Sequence, residues 1–117
     1  MENIQDILKD LTGVSGISAA VCVGRDGFVI ESSTKSDVDA EILGAVVSAG
    51  MGSSESIGKE LKVGDMAQAM LEYDSGIILM AGIGPDAILS VLAAKDSSLG
   101  NIRLQLKKSV PRLSATL

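Results

Sequence analysis

Two glycine-rich stretches are where phosphate chemistry would sit if the chain performed it. Residues 52–59, GSSESIGK, come close to a phosphate-binding loop. That loop needs four residues between its first Gly and the Gly-Lys pair, then a Ser or Thr to reach the metal ion. Here five residues separate Gly52 from Gly58, Glu60 follows Lys59, and no strand leads into the segment. Residues 82–87, GIGPDA, spell G-x-G-x-x-A, but a dinucleotide fingerprint must open a helix and be followed by an acid about twenty residues on. Positions 104–107 are Leu-Gln-Leu-Lys, and Pro85-Asp86 reads as a turn between two strands. The acid pairs Asp37/Asp39 and Glu72/Asp74 fall at a helix start and at a turn, without the contrasting environments that separate an acid from a base. Cys22 sits within an apolar strand, where a thiol is a small hydrophobe rather than a nucleophile. No catalytic, cofactor-binding or metal-ligating residue is assigned.

Composition supports that reading. The 117 residues contain no His and one Cys, so a Ser-His-Asp triad, a Cys-His pair and a multi-Cys zinc site are all excluded. Aromatic residues make up 2% of the chain, which leaves no stacking platform for single-stranded nucleic acid. Ten basic against fifteen acidic side chains give a net charge of −5, which disfavours a phosphate backbone as partner. The imbalance is local: residues 95–117 hold Lys95, Arg103, Lys107, Lys108 and Arg112 against the single acid Asp96. Nothing after Met1 has the basic and then apolar character of a leader. The 18-residue apolar stretch 77–94 carries Pro85 and Asp86 at its centre, so it is read as two buried strands with no membrane insertion. The expected setting is the cytoplasm, and the length suggests a single domain over 1–117.

The positioning elements follow from periodicity. Ile4, Ile7, Leu8 and Leu11 mark a helix over 2–12, stopped at Gly13. Residues 16–33 read as a hairpin turning at Arg25-Asp26-Gly27. Its first strand is expected to point Ile17, Ala19, Val21 and Val23 one way and Ser18, Ala20 and Cys22 the other. Both faces are apolar or small, which calls for cover on both sides of the sheet. A long helix over 37–61 is capped by Ser36 or Asp37, with Asp39 and Glu41 in its first turn. Three strands follow: 66–73, whose Gln68 and Glu72 suit an edge, then the interior strands 77–83 and 87–94. A last helix starts near Ser97 or Ser98 and runs toward Leu113, kinking or fraying at Pro111. The order describes an α+β domain with a five-stranded, mostly antiparallel sheet.

The long helix carries more apolar surface than one packing face needs. Val38, Ile42, Ala45, Val46, Ala49 and Ser53 form one stripe, assigned to the sheet. Leu43, Val47, Gly50 and Met51 form a second, about 120° away, assigned to the same helix of a twin subunit. A third stripe, Glu41, Gly44, Ser48, Gly52, Glu55 and Lys59, is small and flat at its middle.

Three segments together resemble the roadblock-type domain family: GVSGISAAVCVGRDGFVIESS (13–33), SDVDAEILGAVVSAG (36–50) and AILSVLAAKDSSLGNIRLQLKKSV (87–110). The resemblance implies a profilin-like three-layer α/β/α fold, with one long helix on one face of the five-stranded antiparallel sheet and two helices on the other. It implies a homodimer through the long helix and the following edge strand, with Ala67, Ala69 and Leu71 joining Leu43, Val47, Gly50 and Met51 at the interface. It implies a non-enzymatic regulator or adaptor of a small Ras-like GTPase, which speeds hydrolysis, where it does so, by ordering the switch loops. Ser48, Gly52, Glu55 and Lys59 are the positions the resemblance offers for that partner. Two rival readings are a small-molecule sensor, with space left by Ala19, Ala20, Ala81, Ala93 and Ala94, and a purely structural scaffold subunit.

Overall fold

In the computed structural model, residues 2–35 and 37–117 are described. The elements are α1 (Ile4–Thr12), β1 (Ile17–Gly24), β2 (Val29–Thr34), α2 (Ala40–Glu60), β3 (Ala69–Tyr73), β4 (Gly76–Ile83), β5 (Ala87–Ala93) and α3 (Leu99–Ser114). The strands form one antiparallel sheet in the order β2-β1-β5-β4-β3. Helix α2 lies over β1, β2 and β5, while α1 covers β1 and β2 and α3 covers β4. This is the profilin-type layering that the sequence resemblance implies.

Each face of the sheet has its own core. Ile7, Leu8 and Leu11 of α1 and Ile102, Leu106 and Leu113 of α3 pack on Ala20, Cys22, Leu79, Leu89 and Val91. Leu43, Val47 and Met51 of α2 pack on Ala19, Val21, Val23, Met80 and Ile88. Strands β1, β4 and β5 therefore present apolar side chains both ways, as the uninterrupted runs in the sequence require. One face assignment changes. A bulge at Ser18, between Ile17 and Ala19, shifts the β1–β5 register, so Ile17 joins the α1/α3 core with Ala20 and Cys22. A two-against-one bulge flips the side-chain alternation on either side of it, which simple alternation does not anticipate.

Helix ends show which polar groups hold them. Asp39, expected in the first turn of α2, is its cap: its carboxylate accepts from the Glu41 and Ile42 backbone N–H groups at 3.0 and 3.2 Å. Asp37 precedes the cap, and Ser36 lies outside the described residues. α3 continues through Pro111 to Ser114. Residues 66–68 stop short of the expected strand, and Gln68 donates instead to the Arg103 carbonyl at 3.0 Å. The chain ends are joined by Arg112, which donates to Glu2 and, at 2.9 Å, to Asp10. The Arg112 guanidinium holds the Glu2 carboxyl below its ordinary range, so this tie is complete above the usual Glu pKa and is lost as pH falls through the lowered value.

Two positions test this architecture. Gly16 has a φ of +93°, and a Cβ there would collide with the Cβ of Ser97. Gly16→Ala is expected to lower unfolding free energy by at least ~1–3 kcal/mol in urea titration. Cys22 is fully buried, and burial together with the Glu31 charge pushes its thiol up to about 11. Since the thiolate is the reactive form, the native protein is expected to resist iodoacetamide at pH 8 and to be alkylated fully in denaturant.

Candidate interaction surface

The exposed surface of α2 is the first candidate, and it is not the surface that helical counting selects. Leu43, Val47 and Met51, assigned to the twin subunit, are buried against the chain's own sheet. Gly50 is half-buried, above Met80. Of the stripe assigned to the sheet, Val38 packs at the margin of that core, but the rest is left open: Ile42 is 62% and Val46 56% exposed, with Ala49 and Ser53 exposed beside them and Ile57 continuing the line. The two stripes are equally apolar, so hydrophobicity alone does not rank them. Gly44 does. A Cβ there would sit 3.1 Å from both Val23 and Val29, so the helix approaches β1 and β2 closely on that side and turns Leu43, Val47 and Met51 inward.

Because α2 sits over β1, β2 and β5, the β3 side of that face is less covered. Leu71 and Tyr73 point to the same side as Ala69, which packs at the margin of the α2 core, and both are exposed. β3 is an edge strand, so its outer backbone groups have no neighbouring strand. An apolar helix flank thus stands beside an apolar, unpaired edge. Ala67, named with Ala69 and Leu71 for this surface, precedes the strand and is exposed.

The opposite flank of α2 is polar and braced. Arg25, at the start of the β1–β2 turn, donates to Glu55 through both terminal nitrogens, at 2.6 and 3.3 Å, and to the Gly84 carbonyl at 3.3 Å. Its backbone N–H donates to the Asp86 carbonyl at 3.1 Å. One arginine therefore ties α2 to two hairpin turns. The positions expected to meet a partner divide accordingly. Glu55 is engaged by Arg25 and Ser48 is half-buried, its hydroxyl donating to the Ala45 carbonyl at 2.9 Å; Gly52 and Lys59 are exposed. The brace is not legible in the sequence, where an arginine in a turn and a glutamate thirty residues later carry no shared pattern.

Among the described residues no three His, Cys, Asp or Glu side chains gather to hold a metal ion, and no helix is long and apolar enough to cross a membrane. Breaking the brace has a bounded cost. The pair is under one-third exposed, so Arg25→Ala is expected to lose more than the ~1 kcal/mol ceiling of exposed pairs and less than ~3 kcal/mol, measured by urea unfolding.

Known proteins share this architecture. A protein from Methanocaldococcus jannaschii is 37% identical over 112 residues, covering 96% of this chain and 97% of its own length. A Roadblock/LC7 domain from Streptomyces avermitilis superposes with a TM-score of 0.88 at 21% identity, covering 97% of each chain. Myxococcus xanthus MglB superposes with a TM-score of 0.86 at 20% identity, covering 96% of this chain and 85% of its own. The last two likenesses bear on the fold alone. The family model of the Roadblock/LC7 domain matches residues 3–93, and the chain belongs to that family.

Proposed function

We propose that the protein is a homodimeric, non-enzymatic regulator or adaptor of a small Ras-like GTPase in the cytoplasm. One observation carries the dimer: the open α2 stripe of Ile42, Val46 and Ile57 stands beside the exposed Leu71 and Tyr73 of an unpaired edge strand. A second copy related by a two-fold axis covers both at once, laying helix on helix and pairing β3 with its twin. Leu71 and Ala69 keep their place at this interface, while Ile42, Val46 and Ile57 replace Leu43, Val47 and Met51. Membership in the Roadblock/LC7 family supports a GTPase as the partner of the assembled surface. Gly52 and Lys59, on the polar flank of α2, are the positions open to it.

Arg25 decides between two ways of accelerating hydrolysis. An arginine finger must reach the partner's phosphates, and removing one costs a factor of about 10³ or more. Here the guanidinium is occupied by Glu55 and Gly84, which favours stimulation by ordering the switch loops. In a stimulated GTPase assay, Arg25→Ala is expected to retain activity within about tenfold, far from the loss a finger entails. A fall to the unstimulated rate would sink the ordering mechanism.

The dimer is tested by sedimentation. Val46→Asp and Leu71→Asp are expected to yield folded monomers, because both side chains are exposed in the single chain. An unchanged dimer mass in both would exclude this interface. Leu43→Asp serves as the contrast, since a charge in the α2 core should unfold the chain rather than dissociate it. Pull-down with a small GTPase encoded beside the protein, in its GTP and GDP forms, then separates a regulator, which prefers one state, from a scaffold, which does not. Lys59→Glu should weaken capture, and indifference to it would move the partner off this flank.

A further inference from the structure

A cleft of about 390 Å³ opens on the α3 side of the sheet, opposite the α2 surface, between α3 and the segment leading into β3. Ala67, Ala81 and Val110 make its apolar lining, and Gln68, Arg103 and Lys107 supply its polar groups. Two smaller hollows, about 190 and 100 Å³, share Gln68 and Arg103 with it and extend toward Leu104 and Met70. The volume lies within the range of small-molecule sites, and the composition follows their usual plan of an apolar body with a few converging polar groups.

Three features of the cleft are unsatisfied. Arg103 and Lys107 project from successive turns of α3, where side chains four apart lie side by side. Among the described residues neither has a carboxylate within ion-pair distance, although acids outnumber bases in the chain by fifteen to ten. Two like charges on one helix face repel, and an anion between them would relieve this. Gln68 is the third. Its Nε2 is committed to the Arg103 carbonyl, while its Oε1 is buried with no donor. A buried acceptor without a partner calls for a donor from outside the chain.

A larger hollow near the chain ends does not compete. It is lined by Glu2 and Glu31 with Asn3, Ile4, Gln5, Ala115 and Thr116 and presents no cation, and in the hollow beside it Arg112 is already held by Glu2 and Asp10. Cys22 is buried and isolated. The brace at Arg25 is internally paired through its terminal nitrogens.

We propose that this cleft binds a small organic oxyanion, a carboxylate or phosphate carried on a short apolar body. Arg103 offers a planar fork and Lys107 a mobile point charge, the two complementary ways of holding an oxyanion. The apolar body lies against Ala67, Ala81 and Val110, and a hydroxyl or amide on it donates to Gln68 Oε1. The site belongs to the monomer and does not depend on the GTPase reading.

The test is amide NMR titration of the intact chain with hexanoate and hexyl phosphate, with hexanol and inorganic phosphate as controls. Saturable shifts confined to residues 67–70, 81–82 and 100–110 are expected below about 10 mM of one or both anions. The tighter of the two identifies the head group. Hexanol and inorganic phosphate should each bind at least about tenfold more weakly, because each lacks one half of the ligand. Arg103→Ala and Lys107→Ala should each weaken binding about tenfold, whereas Lys108→Ala, on the same helix but outside the cleft, should not. The unliganded spectrum of each variant checks its fold. Equal binding of hexanol would reduce the cleft to a greasy crevice. Shifts scattered over Lys9, Lys95 and Lys108 would mean general counterion attraction. No saturable binding, or binding indifferent to Arg103→Ala, would end the proposal.

Discussion

A five-stranded sheet that is apolar on both sides must be covered on both sides, and the described residues supply three helices with which to do it. Two of them, α1 and α3, share one face and reach from β2 to β4. The third must cover the other face alone. A single helix is about 10 Å across with its side chains, roughly the span of two strands, so α2 cannot roof five. Where it settles is decided by close approach. Gly44 lets it down onto Val23 and Val29, on the β1–β2 side, and Met51 and Val47 fill the space beneath. Everything left over on that face is then on the β3 side. The exposed Leu71 and Tyr73, the open stripe of α2 and the unpaired edge are three consequences of one geometric shortage.

This explains why the open surface is apolar at all. A fully buried Ile or Val stabilises by ~1.5–3 kcal/mol relative to its exposed state, so a stripe of them left in water is forgone stability unless something covers it. Were α2 meant to face solvent, its outer side would carry charged residues, as α3 does at the exposed Lys108. Instead its charges are confined to one flank and to its ends: Glu41, Glu55, Lys59 and Glu60. The polar flank is also the braced one. Arg25 stitches it to both turns at that end of the sheet, which stiffens the part of α2 that no second copy would touch.

How far the sequence reveals this depends on whether a feature is periodic or relational. Strands β4 and β5 and the three hairpin turns announce themselves by apolar runs broken at Asp-Gly, Ser-Gly and Gly-Pro-Asp, and the predicted order of elements is the order found. The apolar faces of α1 and α3 are legible because each has only one. The phase of α2 is not, because Ile42/Val46 and Leu43/Val47 are equally good stripes and the deciding residue is a glycine, which hydrophobic counting ignores. The bulge at Ser18 and the late start of β3 at Ala69 are likewise decided by what lies alongside: β5 in one case and the Arg103 carbonyl in the other. Of the candidate site, the apolar excess of α2 and the edge position of β3 are legible in the sequence; which face of α2 stays open, and the capture of Glu55 by Arg25, depend on contacts between distant segments.

The lopsided charge of the chain resolves in the same way, residue by residue. Arg112 is accounted for by Glu2 and Asp10: it fastens the last helix to the first, and the acids it answers lie at the far end of the sequence. That is an internal use of the basic tail. Arg103 and Lys107 have no such answer within the described residues, although they stand on the same helix only one to three turns away. A helix that satisfies one of its cations with two carboxylates and leaves two others facing a cleft is not simply a solvated surface. The distribution separates the two jobs of α3: its C-terminal end closes the fold, and the stretch from Arg103 to Val110 walls a space that the fold itself does not fill.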